Sequence, residues 1–449
     1  MLPEGFVRKI KNTLGAETEE LIAALQSEPV TCVRLNEDKL QDIDLPDLLE
    51  GASPIPWATD GYYLNHRPQF TLDPLLHAGC YYVQEASSMF IEQALEQYVS
   101  PESVVLDMCA APGGKSTLIS EYLGDQGLLI SNEVVRQRVF ILSENIQKWG
   151  NGNAIVTHNK AADFGKNTPN LFDAIFVDAP CSGEGMFRKD SEAVRQWSER
   201  LVQQCQIRQR QIVSDVWDAL KPGGVLIYST CTFNEQENEE NILWIVENLG
   251  ATVMPLRVDP LWGVSDRGVG YHFYPHKTRG EGFYLCVLLK DDAPYSPFRI
   301  KSDKRRSKQH IQGIDELRSW LRNPDKWVMH LEDRFINAYQ TQYADLIEML
   351  SNRLICISTG TGVAEVRGAH YSPQHGLAMA KNFKPDMFQK VELSLEQALN
   401  YLRCESLAFD DADIGVLLMT YKNIPLGFVK NVGGHSNNMY PNEWRIRRL

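Results

Sequence analysis

Between residues 76 and 290 short apolar runs alternate with helix-length amphipathic stretches, and this alternation limits the possible folds more than any other feature of the chain. Val104-Val105-Leu106-Asp107, Gly127-Leu128-Leu129-Ile130-Ser131-Asn132, Phe172-Asp173-Ala174-Ile175-Phe176-Val177 and Gly224-Val225-Leu226-Ile227-Tyr228 read as buried strands. Strands alternating with helices are the signature of a doubly wound α/β sheet. Such sheets bind ligands in the crevice outside the carboxyl ends of their strands. The residues that follow each strand are therefore the ones to read for chemistry.

Two of those strand ends carry a cysteine. One lies in Asp178-Ala179-Pro180-Cys181-Ser182-Gly183, the other in Tyr228-Ser229-Thr230-Cys231-Thr232. Either thiol alone reads as a packing residue. Two facing one crevice fit covalent catalysis, in which a thiolate is the attacking species. Cys109 sits in a different strand-end loop, and Cys32, Cys80, Cys205, Cys286, Cys356 and Cys404 read as core or surface cysteines.

The strand at Val104 runs into Met108-Cys109-Ala110-Ala111-Pro112-Gly113-Gly114-Lys115-Ser116-Thr117 and then into a helix. Small residues let the backbone approach a ligand, and the amides of a helix start stabilise an anion. The run is neither G-x-G-x-x-G nor the P-loop pattern. The next strand ends at Glu133, 26 positions after Asp107, where an acid can accept hydrogen bonds from both hydroxyls of a ribose. Together the two features imply an adenosine-bearing cofactor, and the thiol pair suits methyl transfer better than hydride transfer.

The 449 residues are enough for two to four domains. No apolar run reaches the roughly 18 residues of a membrane span. The start of the chain has no apolar signal core, so no membrane partner and a cytoplasmic location are expected. Nine cysteines without a C-x-x-C pair argue against structural metal and a disulfide framework, so no metal is expected. A net charge of −13 excludes a generally basic nucleic-acid binder. Charge is nevertheless uneven: residues 299–310 hold six bases against one acid, and the chain ends Trp444-Arg445-Ile446-Arg447-Arg448-Leu449. These basic stretches are either solvated or contact phosphate.

Five segments follow from the pattern. Residues 1–75 open with an amphipathic helix (Phe6, Ile10, Leu14) and continue with short strands, as a small α/β module; residues 76–290 form the doubly wound domain. Residues 291–312 read as a basic linker, 313–385 as a first C-terminal domain and 386–449 as a small β-rich module. His370 and His375 have no metal-like partners in sequence and read as polar loop residues.

Asp107 to Lys115, Asp178-Ala179-Pro180-Cys181-Ser182-Gly183 and Ser229-Thr230-Cys231-Thr232 together resemble the motifs of the NOL1/NOP2/Sun family of RNA cytosine-C5 methyltransferases. Tyr401-Leu402-Arg403, Pro425 to Lys430 and Tyr440 to Ile446 are similar to the PUA-like tail of that family's bacterial RsmF-type branch, which modifies 16S ribosomal RNA. The resemblance implies a Rossmann-like methyltransferase core, S-adenosyl-L-methionine as cofactor and small-subunit ribosomal RNA as substrate, with residues 1–75 binding RNA. It implies Cys231 as the nucleophile toward cytosine C6 and Cys181 as the residue that assists release. By the same resemblance Cys109, Ala110, Ala111, Pro112, Gly113, Gly114 and Lys115 cradle the methionine end of the cofactor. Glu133 holds its ribose, and Asp178 sits beside both methyl donor and target base. Arg138 either supports this site or is a solvated helix charge. Where the family has an acid near the adenine, this chain reads Thr157-His158-Asn159-Lys160-Ala161-Ala162-Asp163; Asn159 or Lys160 falls nearest the expected place and Asp163 slightly later, and the adenine contact is placed at Asn159. Lys189 either reaches the site and its RNA or is a surface charge. Tyr62, Tyr63, Tyr421 and Tyr440 either stack on bases or pack in cores. The family's glycine after Tyr-Leu-Arg is Cys404 here. A monomer is expected. The same chemistry on transfer RNA, and a non-catalytic ribosome-assembly factor that kept the fold, are the alternatives; the intact thiol pair speaks against the second.

Overall fold

A computed structural model of the chain describes residues 2–40, 45–300, 311–368, 370–409 and 411–447. Most of the basic stretch at 299–310 and the final Arg448-Leu449 lie outside the described residues. The principal strands of the central domain are β1 (Val104–Asp107), β2 (Leu128–Asn132), β3 (Ala154–Thr157), β4 (Phe172–Asp178), β5 (Leu220–Thr230), β6 (Ala251–Met254) and β7 (Phe283–Lys290), with the short strands Ser265–Asp266 and Tyr271–Phe273 beyond β7. They lie in the order β3-β2-β1-β4-β5-β7, with β6 paired to the outer side of β7. The first five are parallel; β7 runs antiparallel to β5. The order reverses between β2 and β4, so β1 marks the switch point where the crevice opens.

Strand side chains alternate between the two faces. Val105, Leu129, Ala174 and Phe176 pack against Leu118 and Ile119 of α1 (Gly114–Leu123) and Val139, Leu142 and Ile146 of α2 (Arg136–Trp149). Leu106, Ile130, Ile155 and Ile175 face the other way, onto Phe164 of α3 (Ala161–Asn167), Val213 and Trp217 of α4 (Glu199–Trp217), and Ile242 of α5 (Glu239–Leu249). Burial on both faces is why these strands read as continuous apolar runs.

The flanking segments are built into this domain. The N-terminal helix Glu4–Leu14 sets Phe6 against Phe187 and Phe233, which follow the two cysteine loops, at ring separations of 5.0 and 6.4 Å. An antiparallel sheet of Ser53–Pro54, Gly61–Tyr63, Cys32–Leu35 and Tyr81–Tyr82 covers the crevice from the side of β1. Its Arg34 is buried and reaches the first turn of α1, donating to Thr117 Oγ1 (2.6 Å) while stacking on Trp149 at 4.2 Å.

Residues 313–385 carry a four-stranded antiparallel sheet and two additions to the central domain. The helix Ala344–Arg353 buries Leu346, Ile347 and Leu350 against the β1–β4 face. A further strand, β8 (Cys356–Thr359), then pairs antiparallel with β3 and closes that edge of the sheet. The final module has strands Gln389–Glu392, Gly415–Tyr421, Ile424–Asn431 and Ser436–Asn438 around the helix Leu395–Leu402, which starts on a Ser394/Gln397 capping box. Its central hairpin turns at Lys422 and Asn423, both at positive φ, as a tight two-residue hairpin requires. Leu417, Leu426 and Tyr401 share one core with Val33, Leu35 and Leu75, so the two ends of the chain pack on each other. His375 begins a short helix, and its ring lies between Tyr440 and Trp444 at 5.0 and 5.1 Å, not in a polar loop.

Candidate active site

Four strand ends converge at the carboxyl edge of the sheet: those of β1, β2, β4 and β5. After β1, Gly113 adopts φ +120°, which a side chain resists, and α1 starts at Gly114. A cavity of about 170 Å³ lies over this turn. Asp107, Cys109 to Pro112, Gly114, Lys115 and Asp178 line it from the sheet, and Tyr82, Gln84, Glu85 and Ser88 from the flanking segment. Asp107 is buried; its Oδ2 accepts from Ser116 Oγ at 2.6 Å, while Oδ1 has no partner among the described residues. Burial raises its pKa to about 7, against the Ser116 hydrogen bond that pulls it down. An unpartnered carboxylate oxygen facing a cavity is a place for a cationic group.

At the end of β2, Glu133 is buried and fixed by two contacts. Its Oε1 accepts from Val135 N at 2.8 Å and its Oε2 meets Arg138 Nη1 at 3.3 Å. Arg138 also donates from Nη2 to Ala111 O at 2.6 Å, tying the acid to the turn after β1.

β4 ends at Asp178. Its Oδ2 accepts from Lys115 Nζ at 2.8 Å and its Oδ1 from Ser229 Oγ at 2.7 Å. Lys115 is buried, which works against its charge, but the Asp178 carboxylate outweighs this and its pKa is raised. Its ammonium also lies 5.3 Å above the Phe283 ring.

Cys181 Sγ and Cys231 Sγ are 3.0 Å apart, and Cys231 N donates to Cys181 Sγ at 3.3 Å. The contact with Cys231, with burial behind it, pushes the Cys181 thiol well up, so Cys181 remains protonated. Burial likewise pushes the Cys109 thiol up and keeps it neutral.

Two buried carboxylates lock the cysteine loops together. Glu184 Oε2 accepts from Thr232 Oγ1 (2.7 Å), Phe233 N (2.9 Å) and Asn234 N (3.0 Å), and Oε1 accepts from Trp197 Nε1 (2.9 Å). Glu237 Oε2 accepts from Ser182 N (3.0 Å) and Gln209 Nε2 (2.7 Å), and Oε1 from Asn234 Nδ2 (2.8 Å). Gln209 also donates to Pro180 O at 3.1 Å, and Gly185 N donates to Cys231 O at 2.9 Å. Each loop thus holds the other, and the thiols are set by a satisfied polar network.

Comparison with known proteins shows the family of the chain. The pattern of the 16S rRNA methyltransferase RsmB/F family matches residues 94–289. That of the N-terminal domain of 16S rRNA methyltransferase RsmF matches 2–86, and that of the methyltransferase RsmF PUA domain matches 388–446. Ribosomal RNA small subunit methyltransferase F of Salmonella agona is 32% identical across 98% of this chain and 96% of its own length. The Escherichia coli (strain K12) protein of that name is 30% identical over the same shares. The chain belongs to the ribosomal RNA small subunit methyltransferase F family. Two solved structures from Pyrococcus horikoshii share the fold. A methyltransferase homolog is 26% identical with TM-score 0.55, covering 64% of this chain and 95% of its own. NSun6 with SFG is 21% identical with TM-score 0.55, covering 65% and 99%. The family membership makes this chain an RNA methyltransferase, on a Rossmann-like core with an N-terminal family domain and a PUA domain. Among the described residues no helix is long and apolar enough to cross a membrane.

The residues expected from sequence separate into two groups within this family member. Cys109 to Pro112, Gly114, Lys115 and Asp178 line the cavity, Glu133 and Arg138 are tied to it through Ala111 O, and Cys181 and Cys231 meet in the loops after β4 and β5. Asn159 is not. Its Nδ2 donates to Ile355 O and its Oδ1 accepts from Ile355 N, both at 3.1 Å, so its side chain anchors the backbone that leads into β8. His158 Nδ1 lies 2.9 Å from the backbone oxygen of Glu133. Lys189 is drawn to Glu281 at 3.4 Å. Tyr63 and Tyr440 are buried, and Tyr62 and Tyr421 half-buried. Glu184, Glu237, Gln209 and Asp107's free oxygen were not singled out by sequence reasoning. The signal for the two glutamates was their nearness to the thiols, three residues after Cys181 and six after Cys231.

Proposed function

We propose that this chain methylates C5 of a cytosine in 16S ribosomal RNA, using S-adenosyl-L-methionine and a covalent bond from Cys231 to C6 that Cys181 helps to break. The observation that carries the reading is the pair of sulfurs 3.0 Å apart, beside an Asp178 already engaged by Lys115 and Ser229. The residues present fit the cofactor. Asp107 Oδ1 is free to meet its ammonium, the 108–113 turn approaches its methionine end, and Glu133 offers acceptor oxygens to its ribose. When bound there, the cofactor supplies a methyl group activated by a sulfonium.

Cytosine C5 is a weak nucleophile. A thiolate of Cys231 forms a bond to C6, and the electron pair of the C5–C6 double bond becomes available at C5. The S–H of Cys181, held protonated 3.0 Å away, hydrogen-bonds the Cys231 sulfur and stabilises negative charge there. Asp178, with a donor on each oxygen, acts as an acceptor and orients the exocyclic amino group of the base. After C5 is alkylated, its proton leaves to a base, the C6–Sγ bond breaks, and the double bond re-forms. The same Cys181 hydrogen bond favours Cys231 as the departing sulfur. The target base must leave its stack to reach these groups.

The test separates the thiols. Cys231→Ala should abolish methylation and leave no covalent species. Cys181→Ala should still form the C6 bond but stall in release, so a denaturation-resistant protein–RNA adduct accumulates on a gel and disappears in the double variant. Adduct with Cys231→Ala instead would reverse the roles; wild-type turnover in both would remove the thiols from the mechanism. Bisulfite sequencing of 16S rRNA from a deletion strain locates the modified cytosine.

A further inference from the structure

The loop before β7 carries an exposed cation with no carboxylate partner among the described residues, near cations that do have one. Arg188 Nε pairs with Glu281 at 2.8 Å, Lys189 with the same carboxylate at 3.4 Å, and Lys277 with Glu17 at 2.7 Å. Arg279 is exposed and, among the described residues, has no carboxylate at ion-pair distance. Its guanidinium instead lies over the ring of the buried Tyr63, Cζ 4.5 Å from the ring centroid, with Nη1 donating to Ser53 Oγ at 3.0 Å. The Tyr63 ring and the Ser53 hydroxyl hold the guanidinium in place at an exposed position.

The position is next to the crevice. Arg279 is followed by Gly280, where an added Cβ would meet Ser87 Oγ at 2.3 Å and Glu85 Oε1 at 3.0 Å. Glu281 N donates to that same Glu85 Oε1 at 2.8 Å, and Glu85 lines the cavity together with Asp178 and Lys115. The loop then enters β7 at Phe283, beneath the Lys115 ammonium. Arg279 also spans two parts of the chain, since Ser53 and Tyr63 belong to the N-terminal sheet.

We propose that Arg279 is a stacking platform for a nucleobase of the substrate RNA beside the crevice. Unpaired RNA bases stack on arginine planes as they do on aromatic rings, and a guanidinium pressed onto a ring needs no further ordering to receive one. A contact to phosphate alone would need only a point charge, whereas a guanidinium held over Tyr63 can also offer a planar face to a base. In a chain of net charge −13, an unpaired cation at this rim is also one of few local attractions for a polyanion. The inference rests on RNA being the substrate, as proposed above.

The test uses the full chain and a 16S rRNA transcript. Arg279→Ala and Arg279→Lys should both weaken transcript binding by about tenfold, the usual worth of one base stack. Affinity for S-adenosylhomocysteine should stay at the wild-type value, and the melting temperature should fall only slightly, by the loss of one exposed cation–π contact and the Ser53 hydrogen bond. At saturating RNA kcat should hold while kcat/KM falls. Wild-type RNA affinity in Arg279→Ala would overturn the proposal. So would full rescue by Arg279→Lys, because lysine keeps the charge without the plane. If the wild-type protein itself does not bind the transcript, the reading of the substrate falls along with this inference; if it binds and Arg279→Ala binds equally, only the inference falls.

Discussion

Replacing Glu184 by glutamine should damage both stability and turnover although Glu184 touches neither thiol. Its carboxylate is buried and accepts four hydrogen bonds, three on Oε2 and one on Oε1. Glutamine keeps one acceptor oxygen and puts an NH2 in place of the other. Its better orientation turns the oxygen to the three donors after Cys231 and the NH2 to Trp197 Nε1, where donor faces donor. One unsatisfied buried donor costs about 1–3 kcal/mol, and the remaining bonds lose their charge assistance. Relief from burying a charge offsets part of this, leaving about 3 kcal/mol. Glu184→Ala orphans all four donors and should cost more than glutamine does. Because Phe233 N and Asn234 N fix the loop that carries Cys231, misplacement of that sulfur should lower kcat by about tenfold, as small positional errors at reacting atoms do. Urea unfolding gives the first quantity and single-turnover methylation the second. Wild-type values of both in Glu184→Gln would refute the view that this network positions the nucleophile.

Asp107 links cofactor binding to protons. Its folded pKa, raised to about 7 by burial, lies above the ordinary value of about 3.9, so this group's contribution to the apo-protein's stability falls as pH rises from about 4 to about 7 and is constant above. A bound ammonium lowers that pKa, so cofactor binding at pH 7 should release about half a proton, read by calorimetry in two buffers; no release, or the same release in Asp107→Asn, contradicts the assignment. Ending the chain at residue 312 should cost the methyltransferase domain its stability, because it uncovers the β3 edge and the apolar surface under Leu346, Ile347 and Leu350, each worth about 1.5–3 kcal/mol at most. A soluble fragment 1–312 with the full-length melting temperature would show that segment to be dispensable to the fold. Cys404 adopts φ +64°, where a side chain costs about 1–2 kcal/mol, so Cys404→Gly should gain about 0.5–1 kcal/mol in unfolding free energy after the entropic cost of glycine.

The sequence by itself determined what local periodicity and strand-end chemistry can encode. The two-faced apolar runs of β1, β2, β4 and β5 gave the parallel sheet, since a strand covered by helices on both sides has no polar face to show. Cys181, Cys231, Glu133 and the 108–113 turn were legible because a strand's carboxyl end is also the crevice of such a sheet. Only the tertiary structure decided which polar side chains are shared between distant segments. Glu184 and Glu237 read as ordinary acids until the loop after β5 folds over the loop after β4 and presents its amides and hydroxyls. Asn159 stands where the adenine contact was expected, but Ile355, 196 residues away in the chain, takes both of its hydrogen-bonding groups. β8 was invisible as part of the central sheet because an edge strand is defined by what it pairs with, and pairing leaves no period in the sequence. Arg279 reads like its neighbour Lys277 until the fold supplies Tyr63 beneath the one and Glu17 to the other.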